Sequence, residues 1–489
     1  MKVLCFGNNT EDTDRLAKTY SAENNINYHG LISDLDNDFD TRSILDGCYQ
    51  TSIVDFSYNK LITVLDSFDR IVLLDQLIDS YSHPNEFLNT IRVLKNYDNV
   101  NYQRDSFKHI AYWENLVTEN KSFCIYPFIE YLTNNGKTIV CCRSQTPVAD
   151  KDCDFYNDIN YVDIRTKLIN GTKIKNCEHC YKLEEQNIVS ARIIETVEWA
   201  NRLGLKSTDD LKHQKKPSYY EVRPSNKCNL QCRMCGPPGS HLIQDEYDKL
   251  GLENKKNYIY DGFEIIEFDN LHKLYVAGGE PFVNKEFYDF LRKCVDSNNT
   301  DFEFLINTNG TQLNNTFKKL APNFSNMQFV FSIDGYKDIN HYVRWPSDWD
   351  TIINNVKYLT ERNIKLSFNV TVSIYTISTL DKLLSFLEKN FYENHIHVHF
   401  AETNDDILSA YNYPNKESVL ACLSNIKKLD CYSNNNEIKS VIDNLNNYYT
   451  THNINEQKLK KFFEFNDLLD NNRNIKLKDY LPELDTYRC

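Results

Sequence analysis

Residues 226–240 read "NKCNLQCRMCGPPGS". Cys228, Cys232 and Cys235 stand at C-x3-C-x2-C spacing. A closed structural zinc site takes four protein ligands, and an electron-transfer iron–sulfur cubane also takes four. Three local thiols with no close fourth imply a metal site with one coordination position open.

The flanking pattern sets the fold. "YYEVRPS" (219–225) is a strand leading into the cysteine loop, and "HKLYVAGGEP" (272–281) is a second strand ending in glycines. Further strands are expected at "FEFLINTNG" (302–310), "MQFVFSIDG" (327–335), "IKLSFNVTVS" (364–373) and "HIHVHFAE" (395–402). Helical spacing marks "NKEFYDFLRKCVDS" (284–297), "LNNTFKKLAPN" (313–323), "WDTIINNVKYLTERN" (349–363) and "STLDKLLSFLEKN" (378–390). Six β/α units predict a parallel sheet with right-handed crossovers. Six is short of the eight that close a full barrel, so an α/β partial barrel is expected, its site at the carboxyl ends of the strands. Eight of the 14 glycines lie between Gly236 and Gly335, where backbone must turn tightly or approach a ligand.

"CNLQCRMC", "AGGEPF", "NTNG" and "FSIDG", in that order and each after a strand, closely resemble the radical S-adenosylmethionine (radical SAM) enzymes over about residues 215–400. The resemblance implies a partial (β/α)6 barrel. Cys228, Cys232 and Cys235 would hold three irons of a [4Fe–4S] cluster, and S-adenosylmethionine would chelate the fourth. Reductive cleavage would then give a 5′-deoxyadenosyl radical that takes hydrogen from a substrate, an oxidoreductase-like reaction. Gly278, Gly279, Glu280 and Pro281 match the motif that receives the methionine amino group. Ser332 and Asp334 end the fourth strand, either at cofactor or substrate or as a capped turn; Asp334 is the candidate catalytic group. Arg344 in "HYVRWP" matches an arginine that would pair with the methionine carboxylate in a fork, the alternative being a surface salt bridge, and Asn369 and Thr371 would face the ribose. The TNG at 308–310 reads mostly as a tight turn. Met234 is read as packing near the cofactor, and Cys294, Cys422 and Cys431 as core residues.

A second cysteine set lies upstream. "FCIYPFIEYLTNNGKTIVCC" supplies Cys124, Gly136, Cys141 and Cys142, and turns at "NNGK" as a hairpin would. "NCEHCYK" supplies Cys177 and Cys180 at a helix start. This resembles the twitch or SPASM module, which implies an auxiliary [4Fe–4S] cluster on Cys124, Cys141, Cys177 and Cys180, here preceding the barrel. The Gly136 spacing favours Cys141 over Cys142. A four-cysteine zinc ribbon fits the same spacing. Cys153 has no clear role.

The expected organisation is a small α/β domain over 1–115, the auxiliary module over 116–205, the barrel over 215–405 and a mainly helical region over 406–489. "MKVLCFG" and "DRIVLLDQ" read as strands, and "HPNEFLNTIRVLKN" as a helix. His395, His397 and His399 share one face of the sixth strand. They either bind metal, line a substrate cleft or form a polar border on the open side, and the polar border is the simpler reading.

The net charge of −14 weighs against a nucleic-acid partner. No apolar run is long enough for a bilayer, and "MKVLCFGNN" is not a signal peptide. A cytoplasmic protein is expected, with no membrane partner. An electron donor such as flavodoxin or ferredoxin is implied. The substrate is a peptide or protein, or a small molecule such as a sugar or nucleotide sugar. A non-catalytic iron–sulfur or zinc-binding protein is the remaining alternative, and GGEP has no use in one.

Overall fold

Alternating apolar and polar residues build the barrel strands. In "FEFLINT" the side chains of Phe304, Ile306 and Thr308 are buried while Glu303, Leu305 and Asn307 are half-exposed. The computed structural model describes residues 3–6, 28–32, 70–73, 100–102, 105–144, 146–185, 190–253, 257–391, 395–400 and 406–488. It divides into two units. The first comprises residues 1–129, 139–149 and 153–216, and the second residues 130–138, 150–152 and 217–489.

In the first unit four strands pair in parallel, in the order Tyr28–Ile32, Val3–Phe6, Arg70–Leu73, Val100–Tyr102. The strands expected at "MKVLCFG" and "DRIVLLDQ" are among them. The expected helix at 83–96 and Cys489 lie outside the described residues. Helices Asp105–Glu119, Ile159–Ile169, Glu178–Glu185 and Ala191–Arg202 follow. Arg192 is buried and saturated: it donates to Glu184 at 2.6 and 2.8 Å and to the Phe123 carbonyl at 2.8 Å. A buried guanidinium needs such partners to offset its desolvation.

In the second unit six parallel strands run side by side in chain order: Tyr219–Val222, Lys273–Val276, Glu303–Thr308, Met327–Ser332, Lys365–Val372 and His395–Phe400. These are called the first to sixth strands below. Helices Lys285–Asp296, Asn315–Leu320, Trp349–Thr360 and Leu380–Phe391 lie between them. The helices cover one face only, through aromatic contacts such as Phe287 and Phe290 on Phe304, and Phe391 on Phe368. The other face carries Asn307, Ser332, Asn369, Thr371 and His397, all half-exposed. This is the expected α/β architecture with a parallel sheet.

One pairing was not expected. Glu130–Asn134, the first strand of the "NNGK" hairpin, joins the sheet in parallel beside the first strand, with Glu130 opposite Tyr219. Tyr131 packs against Tyr220 with the rings tilted and 5.8 Å between centroids. Asn135 and Gly136 turn the hairpin with φ of 52° and 73°, as a two-residue turn requires. After the sixth strand come helices Lys416–Ile426, Asn436–Thr451 and Glu456–Arg473.

Candidate active site

The cysteine loop leaves the carboxyl end of the first strand and runs into helix His241–Leu250. Cys228, Cys232 and Cys235 are all half-buried. Burial, and then the neighbouring Cys232, pushes the Cys228 thiol up to about 12. Burial, then Cys232 and Cys228, raises Cys235 as well. Three thiols that oppose one another's ionisation suit a cationic cluster, which removes that opposition. A Cβ on Gly239 would stand 2.7 Å from Cys235 Sγ, so the loop curls tightly round this thiol.

The second-strand turn docks directly on this loop. Gly278 and Gly279 have φ of 80° and 56°. A Cβ on Gly279 would come within 2.2 Å of the Lys227 carbonyl oxygen, and the Glu280 N–H donates to that oxygen at 2.7 Å. Glu280 is buried. Its carboxylate accepts from Thr308 Oγ1 at 2.8 Å and from the Asn309 and Phe282 N–H groups at 2.6 and 3.2 Å. Burial pushes it up to about 7 against those hydrogen bonds. Glu280 thus ties the end of the second strand to the third, and its negative charge acts from inside that framework. Pro281 opens a buried turn onto Phe282.

The third-strand loop completes the rim. Asn309 Nδ2 lies 2.9 Å from Asn229 Oδ1 and 3.9 Å from Cys228 Sγ, and Asn229 donates to Thr311 Oγ1 at 2.8 Å. The TNG segment is therefore more than a turn, since it clasps the residue after the first cysteine. Sequence reading missed Asn229, Asn309 and Thr311. Three polar residues in the loops after the first and third strands were the available signal.

Asp334 is fully buried. Its Oδ1 accepts from the Thr371 N–H at 2.8 Å, and its Oδ2 lies 2.6 Å from Arg344 Nε. That contact falls off the hydrogen-bonding axis and is an ion pair rather than an aligned hydrogen bond. Burial pulls Arg344 down, but the Asp334 carboxylate and the Cys232 thiol hold it above its ordinary value. Arg344 pairs antiparallel with Cys232, and its Nη1 lies 4.0 Å from Cys232 Sγ. Ser332 Oγ donates to Asn307 Oδ1 at 3.2 Å. Asn369 stands opposite both Ser332 and His397. His399 Nε2 meets Thr371 Oγ1 at 3.1 Å, and His397 Nδ1 meets Glu437 Oε2 at 3.3 Å. Cys294 and Cys422 are buried in helices and Cys431 is half-buried.

In the first unit Cys124, Cys141, Cys177 and Cys180 line one small cavity with Arg143 and Arg192. All four are buried, whereas Cys142 is exposed and Cys153 half-buried. Burial, then the Cys177, Cys141 and Cys180 thiols, raises Cys124, and burial pushes Cys177 up to about 12. Among the described residues, no three of His, Cys, Asp and Glu stand at the spacing of a single metal ion. Also among them, no helix is long and apolar enough to cross a membrane.

Fold and loop define a parallel α/β partial barrel with a three-thiol site at its carboxyl end. Residues 222–387 match the family model of the Radical SAM superfamily. The chain carries a radical SAM domain, the domain of an enzyme class. The GTP 3′,8-cyclase of Desulforamulus reducens is 24% identical over 139 residues, which are 28% of this chain and 41% of that protein. The probable GTP 3′,8-cyclase of Methanocaldococcus jannaschii is 26% identical over 171 residues, 33% of this chain and 52% of that protein. The chain thus spans about half or less of these relatives' lengths. Among solved structures, native anSMEcpe with bound AdoMet is 20% identical with a TM-score of 0.34, covering 45% of this chain and 63% of that one. Streptococcus suis SuiB bound to S-adenosylmethionine is 20% identical with a TM-score of 0.31, covering 50% and 54%.

Proposed function

We propose that the protein is a radical SAM enzyme that takes a hydrogen atom from an organic substrate, a peptide or protein or a small molecule. The carrying observation is the docking of Gly278–Gly279–Glu280 on the loop of Cys228, Cys232 and Cys235. An electron-carrying cubane needs four ligands held together, and it has no need of a second backbone segment packed against three of them. When bound, a [4Fe–4S] cluster with S-adenosylmethionine supplies reductive cleavage to a 5′-deoxyadenosyl radical.

The chain's own residues would hold and orient the group. The thiols of Cys228, Cys232 and Cys235 would ligate three irons. The positive φ of Gly278 and Gly279 would let backbone carbonyls take an ammonium, beside the buried Glu280. Arg344 is anchored by Asp334, which fixes the direction of its fork toward a carboxylate. Asp334 then acts as a positioning group rather than a proton carrier, because both its oxygens are engaged. Ser332, Asn369 and Thr371 line the polar face beside it.

Cys124, Cys141, Cys177 and Cys180 would hold an auxiliary [4Fe–4S] cluster. Four buried thiols on one cavity support that reading, and exposed Cys142 is the weaker ligand. Four thiolates would leave no position open for substrate, so the role these residues would support is electron relay or stapling of the module. A cytoplasmic setting with a flavodoxin- or ferredoxin-type electron donor belongs to the same reading.

The test is anaerobic reconstitution, reduction and detection of 5′-deoxyadenosine from S-adenosylmethionine. The wild type should produce it, and the Cys228/Cys232/Cys235→Ala variant should not. Product from that triple variant above background would overturn the assignment. Two cubanes predict about eight irons per chain; about four irons with one zinc would make the upstream site structural. Deuterium transfer from candidate peptides and small molecules into 5′-deoxyadenosine identifies the substrate class.

A further inference from the structure

Arg233 lies between the second and third cysteines, in "CRMC", and is buried to 1% exposure. Its backbone N–H donates to the Val343 carbonyl at 2.8 Å. Its side chain donates to the Tyr342 carbonyl at 2.9 Å, to Asn466 Oδ1 at 2.9 Å and to Asp470 Oδ1. The guanidinium stacks over the Tyr342 ring, 3.7 Å from its centroid. Tyr342 Oη lies 3.0 Å from Asn466 Oδ1 and 2.9 Å from Asp470 Oδ1, and Tyr375 Oη lies 3.0 Å from Asn466 Oδ1. Asp470 also accepts from the Leu477 N–H at 2.7 Å.

The same C-terminal helix, Glu456–Arg473, grips the loop a second time. Arg473 meets Glu246 in a two-point fork at 2.9 and 2.5 Å, and both side chains are buried. Glu246 sits on helix His241–Leu250, which continues directly from the cysteine loop. Asn472 adds a bond to Glu246 at 2.9 Å. Tyr342 in turn precedes Arg344, whose two-residue strand pairs with Cys232. One helix thus holds the residue between two cysteines, the helix that follows them and the strand that flanks them.

We propose that helix Glu456–Arg473 is a latch that sets the spacing of Cys232 and Cys235, with Arg233 and Asp470 as its positioning residues. The idea rests on the cysteine loop being the cluster loop. Two buried arginine–carboxylate pairs on one helix give geometry more than stability. A buried pair is commonly near neutral against an apolar replacement, yet it fixes direction through several hydrogen bonds at once. A loop carrying three metal ligands needs that fixing, because eight residues from Cys228 to Cys235 contain no regular element longer than the two-residue strand Gln231–Cys232.

The test separates positioning from general stability. The double variant Arg233→Met/Asp470→Asn removes both charges and leaves no buried ion unpaired. The single variant Arg233→Lys keeps the charge and loses the fork. Metal-free full-length chain is labelled with N-ethylmaleimide, and each cysteine is followed by peptide mass spectrometry. Cys294, fully buried in helix Lys285–Asp296 and outside the latch, reports the integrity of the barrel.

In both variants Cys232 and Cys235 should label about tenfold faster than in the wild type, the signature of local opening, while Cys294 stays protected. Reconstituted variants should lose iron to a chelator faster in the same order. Labelling of Cys232 and Cys235 within about twofold of wild type, with Cys294 protected, would overturn the latch, since closed loops label alike. Exposure of Cys294 in both variants would overturn it too, by making the pair a general determinant of the fold. A wild type that binds no iron would defeat the class reading, while labelling of the metal-free chain would still decide the latch.

Discussion

Gly279→Ala tests how tightly the second-strand turn must lie on the cysteine loop. Two costs add at this position. Gly279 has φ of 56°, and an L-residue in the left-handed region costs about 1–2 kcal/mol. The new Cβ would also stand 2.2 Å from the Lys227 oxygen and 3.0 Å from the Asn226 and Lys227 carbonyl carbons. Backbone on both sides cannot swing aside as a side-chain tip can. Either strain of about 1–3 kcal/mol is stored, or the turn lifts and the 2.7 Å Glu280–Lys227 bond breaks at similar cost. Gly251→Ala is the control. It has φ of 69°, but a Cβ there would meet no atom within 4 Å, so only the first cost applies. The first cost cancels between the two variants, so they differ by about 1–3 kcal/mol, or roughly 5- to 140-fold in local opening. Hydrogen exchange of peptides covering residues 222–231 and 277–283 measures that opening directly, which suits a chain of two units better than one global melting point. Iron uptake should fall in Gly279→Ala and hold in Gly251→Ala. Equal exchange and equal iron in the two variants would refute the close-docking argument.

Cys141→Ser should lower iron by about four atoms, one cubane's worth, whereas Cys142→Ser should leave it unchanged; elemental analysis of reconstituted protein separates them. Cys177→Ala should keep uncoupled cleavage of S-adenosylmethionine and lose substrate conversion, as chromatography of both products would show. Asp334→Asn leaves the Arg344 guanidinium buried without its counter-ion and should cost about 3–5 kcal/mol, with Asp334→Asn/Arg344→Gln recovering part of the loss in a chemical melt. Glu280 has its carboxyl raised from 4.5 to about 7 by burial. The unfolded chain therefore releases this proton first, and stability of the metal-free protein should fall as pH rises from about 4.5 to 7, by about 3 kcal/mol in all. Glu280→Gln should flatten that slope.

The six-strand order was legible because the first four strands each end in a motif and the later strands alternate. "FEFLINTNG", for example, alternates buried and half-exposed residues and then turns at Gly310, which has φ of 75°. The cysteine spacing and GGEP were equally plain, being local in sequence. What remained hidden was pairing across distance. Nothing in "EYLTN" announces that it lies parallel to "YYEV", 89 residues on, because parallel pairing leaves no turn between the partners. The hairpin was visible from "NNGK", but the pairing of its first strand with Tyr219–Val222 was not.

The C-terminal helix shows what a closer reading would have caught. Leu459, Phe462, Phe463 and Leu469 mark its buried stripe, and Asn466, Asp470 and Arg473 fall on the same stripe at i, i+4 and i+7. Polar residues at core positions of a helix are costly unless partnered, so their presence there is itself a signal. The partners, Arg233 and Glu246, are charged residues in and just after the cysteine loop. Each half of the pattern looks ordinary alone: an arginine among cysteines reads as loop, and an Asn-Asp-rich helix reads as surface. Only their convergence gives them a role. A buried charge on a helix with no motif should therefore be read as a request for a partner, and the cysteine loop is the first place to look for it.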